Sequence, residues 1–464
     1  METLARYATP QLETVSSGKV RESLRVDPST RLIVATDRLS AFDSVLRTPI
    51  PMKGTVLTQL SEFWFSKTSD VVSNHWIRSV APNAMLVREA EPIRVEMVVR
   101  AYLTGSAWRA YETGARRLSG TPLPEGMTRN AAFPRPIVTP TTKSESDEEI
   151  TPDGIVGAGL ADRSLYEQME QASLALFERG TALLAKRGIL LVDTKYEFGR
   201  IGDELVLIDE IHTPDSSRFW SSEDYAADPT SVVQWDKEYV RAWLLSHRAE
   251  SGKLPNRLPD EVVAETSRRY VEILARITGE GPPPEAEAIQ GALYRGMLRE
   301  GLIRDGYVAI IMGSPADREH AGRIRDYLVK RGVFVDMRLV SAHKNPERLA
   351  NVVREYNNAL EPGAIIAVAG LSNGLGGALA ANVTVPVFNC PPFKDNLDMA
   401  LNVNSSLLLP SGVPAATVLR PESAAEAALR SLNLHRLRTR CAGEMAARKA
   451  DLADHDRTLR QEGR

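Results

Sequence analysis

At 464 residues the chain is too long for one ordinary hydrophobic core, so two domains are expected and a third has room. Hydrophobic residues make up 43% and charged residues 25%, as in a soluble globular enzyme; a net charge of -3 without a long basic run excludes a nucleic-acid footprint at chain level. The two cysteines, Cys390 and Cys441, exclude a disulfide framework and suit a reducing compartment, and neither has metal-ligand spacing. The opening residues METLARYATPQLETVSSGK have no apolar signal core, and no run of about 18 apolar residues occurs, so export and membrane spanning are disfavoured and a cytoplasmic protein is expected.

In chain order, residues 31–36 (RLIVAT) and 93–102 (IRVEMVVRAY) read as strands, and residues 164–187 carry helical spacing that stops at Gly188. Residues 192–220 read as a hairpin with charges close to apolar strands. Lys195 and Glu197 stand two apart, so a strand puts them on one face, and a turn over residues 199–204 returns Asp209 towards them. Charges so placed are costly unless paired or bound. Spacing alone favours a solvated face with ordinary ion pairs, and the same residues also suit a magnesium nucleotide site. Another amphipathic helix is expected over residues 259–278. The Gly-Glu-Gly-Pro-Pro-Pro tract at 279–284 then marks the domain boundary. The expected division is residues 1–282, a linker over 283–305, and residues 306–464.

From Tyr307 the rhythm changes. Residues 307–312, 333–340, 364–369, 385–390 and 415–419 are short apolar strands mostly separated by helical segments, the pattern of a parallel sheet with helices on both faces. Ligands of such sheets sit at the carboxyl ends of strands. Three of these ends carry polar turns, at residues 313–317 (GSPAD), 341–344 (SAHK) and 370–374 (GLSNG). The first strand is not followed by GxGxxG, so a single phosphate suits the site better than a dinucleotide. The tail from Pro421 is Ala-rich and helical.

These motifs carry a resemblance. The first half resembles the phosphoribosylaminoimidazole-succinocarboxamide synthase family over roughly residues 7–278, through residues 17–21 (SGKVR), 35–43 (ATDRLSAFD), 96–108 (EMVVRAYLTGSAW), and the hairpin with residues 213–218 (TPDSSR). The second half resembles phosphoribosylaminoimidazole carboxylases through its three turns and residues 409–412 (LPSG). The resemblance implies an N-terminal α+β ATP-binding synthase fold and a C-terminal three-layer α/β parallel sheet of flavodoxin-like type. It also implies two consecutive reactions of purine biosynthesis in one cytoplasmic homo-octamer that takes small-molecule substrates and neither nucleic acid nor membrane.

For the synthase half the resemblance implies that ATP and Mg2+ are used to make an acyl phosphate that aspartate displaces. Gly18, Lys19, Arg21, Lys195 and Glu197 would meet ATP, Glu197 and Asp209 the metal, and Lys195 the substrate carboxylate as well. Arg100, Ser106, Asp147, Arg218, Asp236 and Arg241 would bind the ribonucleotide and aspartate, guanidinium groups being suited to phosphate and carboxylate. Ser146 stands where members carry histidine. For the carboxylase half it implies carboxylation at C4 of aminoimidazole ribonucleotide, without biotin or metal. Carbon dioxide addition leaves a ring proton that a base must take, and His343 is the one histidine at a strand end in this half. Gly313, Ser314, Asp317, Ser341, His343, Lys344, Ser372, Asn373 and Gly374 would line that site, with Lys344 and Ser372 polarising carbon dioxide. Ala316 replaces an expected serine and Leu371 an expected arginine. The third turn differs from the Gly-Ala-Ala-His-Leu-Pro-Gly of N5-carboxy mutases. Direct carboxylation is therefore expected, with a mutase or a non-catalytic nucleotide-binding module as the alternatives.

Overall fold

Alternation along one strand sets the architecture of the N-terminal half. In Ile189–Ile201 the side chains of Tyr196 and Phe198 enter the core, so Lys195 and Glu197 must point to the other face. The computed structural model describes residues 1–42, 44–143, 148–371 and 373–463. It divides the chain into two compact units, Met1–Arg6 with Thr14–Met297, and Tyr7–Glu13 with Leu298–Arg464.

In the first unit Ile189–Ile201 is flanked by Glu91–Tyr102, Glu204–Ile208 and Ser217–Ser221, all antiparallel to it. Ala132–Val138 and Thr141–Thr142 extend the sheet beyond Glu91–Tyr102. A second sheet runs Glu13–Ser17, Arg21–Asp27, Thr30–Ala35, Ala84–Arg88, Trp76–Ala81. Helices Lys53–Thr68, Arg163–Ala185 and Asp260–Thr278 supply Trp64, Met169, Phe177, Tyr270 and Ile273 to the core behind Val95, Met97, Val99, Tyr196 and Phe198. Burying one side chain such as Phe198 is worth about 1.5–3 kcal/mol, and this apolar face offsets the charges held on the other. The Asp162 carboxylate caps Arg163–Ala185 by accepting from the Leu165 N–H at 2.8 Å. The hairpin is tighter than its spacing suggested. Ile201 pairs with Glu204, so the loop is Gly202 and Asp203 alone rather than residues 199–204. The stretch expected to link the domains is ordered at its start: Ile289–Arg299 is a helix whose Ile289, Leu293 and Met297 are buried.

The second unit is a five-stranded parallel sheet in the order Phe334–Leu339, Tyr307–Met312, Gly363–Val368, Val387–Asn389, Ala416–Thr417. Val308, Ile310 and Met312 face helices Arg318–Val329 and Pro421–Ser431, whereas Tyr307, Ala309 and Ile311 face Pro346–Asn357 and Gly374–Ala380. Both faces are covered, which gives the three-layer flavodoxin-like arrangement. The strand order reverses direction at Tyr307–Met312, so its carboxyl end is the switch point where ligands of such folds bind. The tail forms the helix His435–Glu462. No helix among the described residues is long and apolar enough to cross a membrane.

Candidate active sites

Register assembles the first site. Glu197 lies opposite Glu96, and Asp193 lies opposite Arg100 on one side and Arg218 on the other. These residues share the face left free by the core. Glu96 and Glu197 floor a cleft of about 520 Å3, also lined by Gly18, Lys19, Arg21, His75, Lys143, Lys195, Asp209, Glu210, Asp215 and Lys237. Lys195 Nζ stands 2.7 Å from Glu96 Oε1 and 3.3 Å from Glu197 Oε1, and Lys143 pairs with Glu197 Oε2. Burial disfavours the Lys195 charge, but Glu96 and then Asp209 more than offset this, so its pKa lies above the ordinary lysine value.

Asp209 follows the strand Glu204–Ile208 with φ 68°, a left-handed conformation that aspartate tolerates at some cost. Its carboxylate takes Arg21 at 3.1 Å, and Glu210 takes the same guanidinium at 2.7 Å. Burial works to raise the Asp209 pKa; Arg21, Lys143 and Lys195 overcome it and hold it below the usual carboxylate range. Arg21, expected to meet ATP, is thus committed to the two carboxylates. The turn before it is held by Arg38, which donates to the carbonyls of Gly18 at 2.9 Å and Lys19 at 3.0 Å. A Cβ on Gly18 would reach only the Arg21 carbonyl oxygen, at an ordinary 3.5 Å. No protein atom near Gly18 therefore demands a glycine there.

The donor set suits magnesium. Among the described residues no group of three His, Cys, Asp or Glu side chains has metal-holding geometry. Mg2+, however, typically takes one or two carboxylates and completes its shell with water and phosphate oxygens. Glu197 and Asp209, both on the cleft, meet that need.

The anion-binding candidates form a neighbouring cluster. Asp193 pairs with Arg218 and lies 3.6 Å from Arg100, whose Nε donates to Thr139 Oγ1 at 2.9 Å. Glu238 draws in Arg241 at 3.5 Å and Arg218 at 3.9 Å. Ser106 is exposed one residue into the helix Gly105–Glu112. Gly105 (φ 58°) sits against the Arg218 guanidinium, where a Cβ would clash. Asp147 lies outside the described residues. Asp236 is buried; its Oδ1 accepts from the Glu238 N–H at 2.6 Å while Oδ2 has no partner. Burial pushes its carboxyl up to about 6 against the pull of Arg218. Its folded pKa exceeds the ordinary 3.8, so this group favours the fold below that value and loses the benefit as pH rises through 6. Asp236→Asn is therefore expected to be more stable than the parent at pH 8 by about 3 kcal/mol, the difference closing towards pH 4. Urea unfolding at the two pH values measures this, and equal stabilities at pH 8 would contradict it.

Several neighbours escaped the sequence reading. Lys53 is fully buried and reaches Asp215 at 2.8 Å, with Lys237 at 3.5 Å and the Tyr270 hydroxyl donating at 2.7 Å. Glu96, Lys143 and Glu210 depend on strand pairing for their place, which spacing does not reveal. His75 is buried beside Arg88 and Asp209, and burial lowers its pKa to about 3, so it is neutral.

The second site is a cleft of about 780 Å3 across three strand ends of the parallel sheet. Gly313, Ser314, Asp317, Ser341, His343 and Lys344 all line it. Ser314 and Asp317 brace one turn reciprocally: Ser314 Oγ accepts from the Ala316 N–H at 3.3 Å, and Asp317 accepts from the Ser314 N–H at 3.0 Å. Ser341 Oγ accepts from the Lys344 N–H at 3.2 Å. His343 and Lys344 are exposed to the cleft, and the imidazole rests on Gly374, where a Cβ would come within 2.8 Å of Nε2. Glycine at 374 thus gives His343 its seat.

Asn373 does not present its side chain to the cleft. Its side chain faces inward, donating to Ser406 Oγ at 2.9 Å and capping Gly374–Ala380 by accepting from the Gly376 N–H at 3.1 Å. Ser372 lies outside the described residues. Leu371 is 74% exposed with φ 55°. The sequence reading also missed His320, Arg323, Lys394 and Asp398 on this cleft. The His320 Nε2 lies 3.2 Å from Cys390 Sγ, a thiol that burial pushes up to about 12.

Comparison with known proteins matches both halves of the chain to known families. A family model described as SAICAR synthetase matches residues 14–258, and one described as AIR carboxylase matches residues 307–453. The phosphoribosylaminoimidazole-succinocarboxamide synthase of Azobacteroides pseudotrichonymphae is 43% identical over 285 residues, covering 60% of this chain and 88% of that protein. The synthase of the same name from Bacteroides fragilis is 44% identical over 287 residues, covering 60% and 91%. The solved SAICAR synthase from Saccharomyces cerevisiae complexed with SAICAR is 33% identical with a TM-score of 0.53, over 61% of this chain and 98% of that one. The chain belongs to the SAICAR synthetase family of purine biosynthesis, and it carries an AIR carboxylase family domain after its synthetase domain.

Proposed function

We propose that the C-terminal unit adds CO2 to C4 of aminoimidazole ribonucleotide, and that the N-terminal unit joins the resulting carboxylate to L-aspartate at the expense of ATP. In the second reaction the γ-phosphoryl group passes to a substrate carboxylate oxygen and ADP leaves. The aspartate amine then forms the C–N bond as phosphate departs and a proton is lost. Such transfer depends on positioning and on neutralising charge as it develops. The observation that carries this reading is the Lys195 ammonium, fixed between Glu96 and Glu197 on the same sheet face as Arg100 and Arg218. Lys195 meets the transferring phosphoryl group, and the turn with Gly18 and Lys19 seats the rest of the triphosphate. Bound between Glu197 and Asp209, Mg2+ would offset the phosphate charge. Arg100, Ser106, Arg218, Asp236 and Arg241 serve the ribonucleotide and aspartate anions.

In the carboxylase unit C4 of the ring attacks CO2, a C–C bond forms, and the C4 proton passes to His343. Lys344 and Ser372 serve to polarise CO2, and the turns of Ser314, Asp317 and Ser341 hold the ribose phosphate. Direct carboxylation, rather than transfer from an N5-carboxy isomer, is supported by the third turn, residues 370–376 (GLSNGLG), which lacks the histidine of the Gly-Ala-Ala-His-Leu-Pro-Gly sequence. Supplying aminoimidazole ribonucleotide and labelled bicarbonate without ATP is expected to give labelled carboxyaminoimidazole ribonucleotide. Label incorporated only when ATP or an N5-carboxylated substrate is added would favour the mutase instead. Light scattering is expected to give the mass of an octamer, and a monomer would count against that assembly.

A further inference from the structure

Glu96 and Glu197 lie directly opposite one another in an antiparallel pair, and each is only 5% exposed. Like charges so placed destabilise a sheet, by a fraction of a kcal/mol at the surface and more where water is excluded. The pair is made tolerable by Lys195, whose ammonium contacts both. The two carboxylates are not equivalent. Glu197 has a second cation in Lys143, whereas Lys195 is the only ion-pair partner of Glu96 within 4.0 Å among the described residues. The contact to Glu96 is also the shorter, at 2.7 Å against 3.3 Å.

These asymmetries divide the work. A Glu197 carboxylate turned towards a magnesium nucleotide, as read above, slackens its hold on Lys195. Glu96 stays, because among the described residues it has no second ion-pair partner within 4.0 Å and does not serve the metal. We propose that Glu96 is a positioning residue of the synthase reaction, holding the Lys195 ammonium at the transferring phosphoryl group while Glu197 serves the metal. The proposal rests on Lys195 having that role, and it adds a residue whose cost to the sheet is repaid only during turnover.

The test compares Glu96→Gln, Glu96→Asp and Lys195→Met in the full chain, with synthase kinetics and melting temperature read for each. Glutamine keeps the shape and removes the charge. A positioning role predicts that Glu96→Gln melts at or above the parent temperature, because two facing carboxylates become one. It further predicts KM values for ATP and carboxyaminoimidazole ribonucleotide within about threefold and a kcat lower by about 10–100-fold, the range seen when residues orienting a site are removed. Glu96→Asp should recover part of kcat. A Glu96→Gln kcat within twofold of the parent would overturn the proposal, as would a rise in KM alone, or a loss of kcat matched by a fall in melting temperature. Lys195→Met separates the two claims. Full activity there would sink the role of Lys195 itself, whereas a dead Lys195→Met beside a normal Glu96→Gln would sink only that of Glu96.

Discussion

Replacing Lys195 by methionine is expected to lower ATP-dependent ligation by about 10³-fold while leaving carboxylation untouched. The estimate comes from what a single fixed charge supplies where negative charge gathers, about 10²–10³ for one donor in an oxyanion site and up to about 10⁵ for a guanidinium at a phosphoryl group. A thousandfold loss corresponds to about 4 kcal/mol of transition-state stabilisation. Two features place Lys195 at the high end of a single-group effect. Its ammonium is held by Glu96 and Glu197, so little reorganisation is needed at the moment of transfer, and Glu96 and Asp209 keep it protonated despite burial. Methionine preserves the stem that packs in the strand and removes only the charge. The fall should appear in kcat more than in the KM for ATP, because Lys19 and the Gly18 turn, proposed to seat the triphosphate, remain. Steady-state kinetics from added carboxyaminoimidazole ribonucleotide, aspartate and magnesium ATP measure this. A loss of less than tenfold would remove Lys195 from the chemistry.

The second large effect concerns the other unit. His343→Asn is expected to lower carboxylation by about 10²–10⁴-fold, the usual contribution of a positioned proton acceptor. The cleft offers two histidines, His343 and His320, and their settings differ. His320 is drawn against Cys390, whereas His343 is exposed to the cleft on the bare surface of Gly374. Asparagine retains a polar side chain of similar reach, so binding of the ribonucleotide should change little. Ligation from added carboxyaminoimidazole ribonucleotide should proceed at the parent rate. Carboxylation by His343→Asn within threefold of the parent would transfer the proton-accepting role elsewhere, with His320→Asn the next variant to measure.

How far these sites were legible before folding depended on whether the signal was local. The parallel sheet could be read because each strand is a short apolar run, and Val308, Ile310 and Met312 on one face alternate with Tyr307, Ala309 and Ile311 on the other. Lys195, Glu197 and Asp209 could be grouped because a hairpin joins neighbours in sequence. Glu96 could not, since its place depends on a pairing between strands about a hundred residues apart, and a slip of one residue would send it into the core. Asn373 shows a different limit. A polar residue at a strand-end turn resembles a ligand contact, but Asn373 caps the helix that follows and bonds Ser406, a use that only the folded turn reveals. Likewise residues 7–13 group with the second unit, through the Ala8 N–H to the Asn358 carbonyl at 3.2 Å and the pairing of Thr9 with Glu361, which no composition shift signals.

The account stands most directly on one assay of the full chain, starting from aminoimidazole ribonucleotide with bicarbonate, L-aspartate and magnesium ATP. It predicts succinocarboxamide ribonucleotide with one ATP consumed per product, and carboxyaminoimidazole ribonucleotide alone when ATP or aspartate is withheld. Product that forms only when carboxyaminoimidazole ribonucleotide is itself supplied would contradict it.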